Sequence, residues 1–186
     1  MRKNFKPQPY LYPQPVLVVA TYNEDGTPDA MCAAWGTICD NDAVALVLNA
    51  DHKTVKNIKR NKAFTVSTGT VDQLVAIDYV GMVSGNEVPD KVEKAGWHTE
   101  KSAAVNAPII DELPMTLECK LIKYDEKFEC VYGKIVNISI DERVLAEGGG
   151  VDVKKLDPVS LDPINGKFIR LGEPVGNAFS MGKEIK

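Results

Sequence analysis

The sequence predicts a mainly β fold with short helices, arranged as a barrel with helical insertions. Many short apolar and β-branched runs are bounded by Gly, Pro, Asn and Asp turn residues. The helical patterns between them are short and few. They do not alternate regularly with the strands, as a βαβ layer would require.

Residues 1–15 form an extended, proline-punctuated arm, because Pro7, Pro9, Pro13 and Pro15 remove ladder donors. Residues 16–21 are a β-branched strand, and Asp25-Gly26 marks the turn that follows it. Residues 31–38 are predicted as one second strand and residues 43–49 as a third. Residues 54–61 have helical spacing, with Val55 and Ile58 on one side and lysines elsewhere. A strand is expected at 63–68, a helix at 71–80 ending near Gly81, and a short helix at 90–96 with Gly96 as its stop. Residues 115–124 alternate cleanly, with Leu117, Cys119 and Leu121 on one face, and residues 129–140 alternate loosely. The Gly- and Pro-rich tail holds a last strand at 167–171, followed by Val175-Gly176.

A chain of 186 residues fits one domain, so residues 1–186 are taken as a single unit with the arm at its start. The net charge of −4 argues against a nucleic-acid partner, since phosphate-backbone affinity comes from clustered Lys and Arg. No apolar run reaches the ~20 residues that span a bilayer, and the basic start lacks the apolar stretch of a secretory signal. Cys32, Cys39, Cys119 and Cys130 form no C-x-x-C pair, so no metal site is expected. All four are taken as small core or near-core residues of a cytoplasmic protein.

There is no G-x-G-x-x-G, P-loop, H-E-x-x-H or G-x-S-x-G signature, which disfavours the classical dehydrogenase, kinase and α/β-hydrolase classes. Gly148-Gly149-Gly150 is a flexible turn. The most informative stretch runs from Asn49 through His52, Lys53 and Thr54 into the helix. A helix start leaves backbone N–H groups unpaired, and its dipole favours an anion, so a phosphate suits this place. His52 is a proton donor or phosphate partner, or else a surface loop histidine. The small residues of Met31, Cys32, Ala33 and Ala34 let a flat ring approach the backbone, and Trp35 either covers that ring or fills the core. A flat ring and a phosphate tail on adjoining elements suggest flavin mononucleotide. Ser84, Gly85 and Lys91 are placed at the same pocket, with an ordinary exposed lysine as the other reading of Lys91. His98, beside an anchoring Trp97, is either a substrate contact or a surface position.

These segments together resemble the flavin reductase-like family, close to the flavoredoxins. The resemblance rests on residues 16–21, Asp25-Gly26, residues 31–35, Lys53-Thr54-x-x-Asn57-Ile58, Gly81-x-x-Ser84-Gly85, Asp90-Lys91, residues 107–110, residues 117–119 and residues 133–136, and it covers residues 12–183. It implies an FMN-binding split β-barrel, a homodimer with the flavin near the subunit boundary, and electrons passing from NADH or NADPH through FMN to a small-molecule or protein acceptor. It also implies that Met31, Cys32, Ala33, Ala34 and Trp35 face the ring while Asn49, Lys53 and Thr54 receive the ribityl chain and phosphate. Ser84, Gly85 and Lys91 lie in a region often near the cofactor. Relatives often have Thr or Ser at the place of Cys32 and Arg at that of Lys53, where lysine keeps the charge but not the forked geometry. Two other readings stand beside the reductase: a flavoredoxin-type carrier with no nicotinamide activity of its own, and a non-catalytic barrel that binds a phosphorylated ligand.

Overall fold

The chain passes from one edge of a seven-stranded antiparallel sheet to the other in two residues, and this forces the sheet to curl. The computed structural model describes residues 1–185. The sheet contains β2 (Leu17–Tyr22), β3 (Pro28–Ala33), β4 (Gly36–Asp40), β5 (Ala43–Val47), β6 (Ala63–Thr68), β9 (Met115–Asp125) and β10 (Cys130–Ile140). Their spatial order is β3-β2-β6-β9-β10-β5-β4. Laid flat, these strands would span roughly 29 Å between the outermost pair. Only Ala34 and Trp35 separate β3 from β4, a bridge that reaches at most about 11 Å. The two edges are therefore drawn together at that corner without pairing, and the sheet is a split barrel.

The remaining strands are peripheral. β1 (Gln14–Pro15), β11 (Val159–Asp162) and β12 (Lys167–Arg170) form a three-stranded sheet, and β7 (Thr99–Lys101) pairs with β8 (Pro108–Ile110). The arm is thus anchored by its last residues: Gln14 pairs with Leu161, and the Ser160 hydroxyl donates to the Gln14 carbonyl at 2.9 Å. Among the described residues four α-helices are inserted: α1 (Lys53–Asn61), α2 (Leu74–Met82), α3 (Lys91–Lys94) and α4 (Val153–Leu156).

Alternation along β2 divides the core in two. Val19 points into the barrel with Leu46, Phe64, Cys119 and Val131, and α1 adds Val55 and Ile58 to that cluster. Val18 and Ala20 point outward and are covered by Ile77 and Val80 of α2, Val92 of α3, and Trp97. Gly133 supplies clearance inside the barrel, because a Cβ there would lie 2.4 Å from the Phe64 ring. It also sits at a register shift between β9 and β10, where a bulge helps bend the sheet.

Several sequence expectations are corrected. Residues 31–38 are two strands, because the chain leaves β2 after Ala33 and pairs with β5 from Gly36 onward. The corner is tight at Gly36, where a Cβ would come within 2.5 Å of the Leu46 side chain. Helix α2 begins after a 3-10 turn at Val71–Gln73 and runs past Gly81 to Met82. Cys39 is exposed on the edge strand β4 rather than near the core, whereas Cys119 and Cys130 are buried. Val175-Gly176 forms no strand, and β1, β7, β8 and β11 are additional short strands. Among the described residues, no helix is long and apolar enough to cross a membrane.

Candidate functional site

Helix α1 forms because Thr54, Val55, Asn57 and Ile58 share a buried side while Lys56 and Arg60 face solvent. Lys59 and Arg60 sit in its last turn, where cations complement the dipole, and Lys62 closes it in a left-handed conformation with its N–H on the Ile58 carbonyl. The other end is open. His52 occupies the N-cap without a side-chain capping bond, and the first helical bond runs from the Lys56 N–H to the His52 carbonyl. The N–H groups of Lys53, Thr54 and Val55 consequently fall outside the helical ladder.

That open end faces a cavity of about 240 Å³. β3 contributes Met31 and Cys32 to its wall, the start of α1 contributes His52, Lys53 and Thr54, and α3 contributes Lys91. The end of α2 and the following loop complete it with Gly81, Val83, Ser84 and Gly85. The loop approaches closely: a Cβ on Gly85 would lie 2.3 Å from Asp29 Oδ1 and 3.2 Å from Lys53 Cβ. Gly81 is similarly required, its Cβ position being 2.9 Å from Cys32 Cβ.

A buried polar group lies behind the wall. Asp29 is 1% exposed, and its Oδ2 accepts the Thr54 hydroxyl at 2.6 Å. Lys91 is 2% exposed, and its ammonium donates to the Val80 and Val83 carbonyls, both at 3.1 Å, at the C-terminal end of α2. It stands 3.8 Å from Asp29 Oδ1. Burial raises the Asp29 pKa, outweighing the Thr54 hydrogen bond and the Lys91 and Lys53 charges. Burial likewise lowers that of Lys91, against the pull of Asp29. Burial and the charge of Asp78 push the Cys32 thiol up to about 11, so it faces the cavity as a neutral thiol at pH 7.

The cavity thus brings together Met31, Cys32, His52, Lys53, Thr54, Ser84, Gly85 and Lys91 of the expected set. The others lie elsewhere. Ala33 packs inside the barrel. Ala34 and Trp35, at the corner between β3 and β4, line a separate hollow of about 620 Å³ with Ile38, Leu46, Val66 and Leu117. Trp35 is 54% exposed, so it does not fill the core. Asn49 is exposed outside the cavity, where its Oδ1 accepts the Asp51 N–H at 2.8 Å. Lys91 is the opposite case, a buried cation rather than a surface one. His98 is a surface residue whose Nδ1 lies 2.7 Å from Glu112, and that hydrogen bond and charge raise its pKa. Trp97 is buried beside it and donates to Gln73 Oε1 at 2.9 Å. Asp29 is the residue that sequence reasoning missed. Its one signal was an aspartate inside an otherwise strand-like stretch, where aspartate is depleted.

Residues 10–155 match the family described as "Flavin reductase like domain". Among solved structures, the flavoredoxin of Desulfovibrio vulgaris (Miyazaki F) superposes with a TM-score of 0.93 at 34% identity, covering 98% of this chain and 100% of that one. A flavoredoxin from Methanosarcina acetivorans gives 0.88 at 26% identity over 100% of both chains. An FMN-binding domain of a flavin reductases-like enzyme from Shewanella baltica gives 0.78 at 24% identity, covering 88% of this chain and 89% of that one.

Proposed function

The chain belongs to the flavin reductase-like domain family, and from that premise we propose that it is an FMN-dependent oxidoreductase that passes electrons from NADH or NADPH to a flavin, ferric or protein acceptor. The observation that carries this reading is the convergence, in one cavity, of an uncapped helix start, the Lys53 charge and a loop whose Gly85 leaves no room for a side chain.

The residues present fit a phosphorylated flavin. A phosphate wants several N–H donors and a cation, and the first turn of α1 with Lys53 supplies both. Gly85 lets the loop backbone come against the helix start, as a cradle for a small anion requires. Lys53, Thr54, Ser84 and Gly85 would hold the phosphate end, with His52 at the rim and Lys91 adding positive charge from behind. Met31 and Cys32, on the free edge of β3, would bound the next part of the cofactor. Ala33, Ala34, Trp35 and Asn49 would lie beyond that cavity, toward the hollow at the barrel seam. When bound, FMN would supply the one- and two-electron chemistry. The protein's part is orientation, a fixed positive field at the anion, and control of access. Nothing in that role requires a side-chain acid or base.

The apolar hollow with exposed Trp35, Ile38 and Val47 supports a homodimer that places this surface between subunits. The four free cysteines fit a cytoplasmic setting. The flavoredoxin neighbours favour a second reading, an FMN electron carrier with no nicotinamide activity of its own.

The test is an absorbance spectrum of the purified protein and a fluorescence-quenching titration with FMN, followed by anaerobic addition of NADH and NADPH. A yellow, FMN-binding protein bleached by either nucleotide supports the reductase. Bound FMN that stays oxidised under excess of both supports the carrier. A colourless, folded protein that leaves FMN fluorescence untouched overturns both readings.

A further inference from the structure

The Thr54 hydroxyl has one proton, and in this structure it is spent on Asp29 rather than on the cavity. Its Oγ1 stands 2.6 Å from Asp29 Oδ2, and an ionised carboxylate can only accept. With that proton engaged, Thr54 presents lone pairs to an anion beside it, and the carboxylate behind adds like-charge repulsion. A neutral Asp29 reverses both effects: its own O–H donates to Thr54, and the Thr54 proton turns to the cavity. We propose that Asp29 is a positioning residue that sets the direction of the Thr54 hydrogen bond, so that binding of a phosphorylated ligand at the α1 start is coupled to uptake of one proton by Asp29. The proposal rests on the phosphate site described above and goes beyond it in making that site proton-linked.

The surroundings favour a carboxyl that holds a proton. Asp29 is 1% exposed. From α3, the Lys91 ammonium is 3.8 Å away, beyond hydrogen-bonding distance, and is bonded instead to the Val80 and Val83 carbonyls of α2. From α1, Lys53 acts through space, with His52 at the cavity rim, and Thr54 is the only direct side-chain partner among the described residues. Farther off, Asp25 in the turn before β3 interacts with Lys53, and Asp78 of α2 acts on Cys32. On the loop side, Gly85 abuts Asp29 Oδ1, so no solvent shell separates the carboxyl from the cavity wall. Burial raises the pKa of Asp29 above its ordinary value despite the two lysines, which shifts the balance toward the protonated form.

The test compares the full-length protein, stripped of flavin, with Asp29→Asn, a variant fixed in the neutral state. FMN and riboflavin affinities are measured by fluorescence quenching from about pH 5 to about pH 9, a window above the ordinary carboxylate value. The phosphate's own ionisation near pH 6 cancels in the ratio of the two proteins' FMN dissociation constants. That ratio should rise with pH by up to tenfold per unit once Asp29 ionises in the free protein. The same ratio for riboflavin, which has no phosphate, should stay flat. Calorimetric titration of the unaltered protein at about pH 8, where the FMN phosphate is already fully ionised and exchanges no proton of its own, in buffers of different ionisation enthalpy should show proton uptake with FMN and none with riboflavin, and it needs no variant to fold. An FMN ratio independent of pH, with FMN still preferred to riboflavin and no proton uptake, overturns the role of Asp29 and leaves the phosphate site standing. Equal affinities for FMN and riboflavin at every pH overturn the phosphate site, and the proposal with it.

Discussion

Adding a single methyl group at Gly85 should damage the anion site while leaving the barrel intact. The backbone of Gly85 lies outside the left-handed region, so alanine brings no conformational strain there and the effect is steric alone. The new Cβ would sit 2.3 Å from Asp29 Oδ1 and 3.2 Å from Lys53 Cβ. A relaxed contact needs roughly 1 Å more toward the aspartate. Asp29 cannot recede, being 1% exposed and tied to Thr54, and Lys53 belongs to the helix. The loop carrying Ser84 and Gly85 must therefore draw back from the α1 start. Overpacking of this kind costs about 1–3 kcal/mol. Expressed in ligand affinity, that is roughly fivefold to more than a hundredfold. FMN titration of Gly85→Ala by fluorescence quenching checks the value, with thermal unfolding of the flavin-free protein as the control for folding. Gly148→Ala, whose Cβ would meet nothing within 4 Å, should behave as the unaltered protein. A Gly85→Ala protein that folds normally and binds FMN as tightly as before would refute the assignment of the loop to the cradle.

Lys53→Ala should weaken FMN binding by about tenfold or more, because a charge-assisted contact is worth about 1.5–3 kcal/mol; riboflavin binding should change little, and equal losses for both ligands would count against a phosphate contact. Thr54→Ala should also lower thermal stability, since it leaves the buried Asp29 carboxyl without its partner, a loss of about 1–3 kcal/mol. Trp35→Glu puts a charge on the exposed apolar hollow; with the homodimer proposed above formed through that surface, the variant should sediment as a monomer where the unaltered protein sediments as a dimer, with little change in melting temperature, and equal sedimentation coefficients for the two proteins would count against that interface. Burial works against the charge of Glu118, but hydrogen bonds from Ser102, Ser139 and Asn137 outweigh it and hold its pKa below the usual value. A depressed folded pKa means stability that is present above the unfolded value near 4.3 and lost as pH falls through the folded one. Melting curves of Glu118→Gln should therefore decline less steeply with acid than those of the unaltered protein.

The strands and α1 were legible because their patterns are local: β6 falls on residues 63–68 as expected, and Val55 and Ile58 mark the buried side of α1. The break at Ala34-Trp35 was not, because nothing in the apolar run 31–38 says that its second half pairs with a strand at the far edge. Closure of the barrel decides that, and closure depends on every register in the sheet. Trp35 is hard to place for the same reason: its bulk allows core or ring contact, and the corner turns it outward, which excludes the core. Lys91 and Asp29 were obscure because burial of a charge is a tertiary outcome. Lysine opening a short helix looks like an exposed residue until the C-terminal carbonyls of α2 are seen to receive it.

The candidate site lacks a strong sequence signature because much of it is main chain. β3 is an edge strand, paired only with β2, and an edge strand leaves a row of N–H and C=O groups without ladder partners. The start of α1 leaves further N–H groups free. β3 and the start of α1 line one cavity, and the α2–α3 loop closes it with a glycine. Backbone donors place few demands on side-chain identity; they require small residues where chains must approach and a helix that begins at the right point. A cavity built in that way tolerates exchanges at Cys32 more readily than at its glycines. That also orders the substitutions: exchanges that preserve volume, such as Met31→Leu, should leave FMN binding nearly unchanged, whereas any Cβ at Gly85 or Gly81 intrudes on atoms less than 3 Å away.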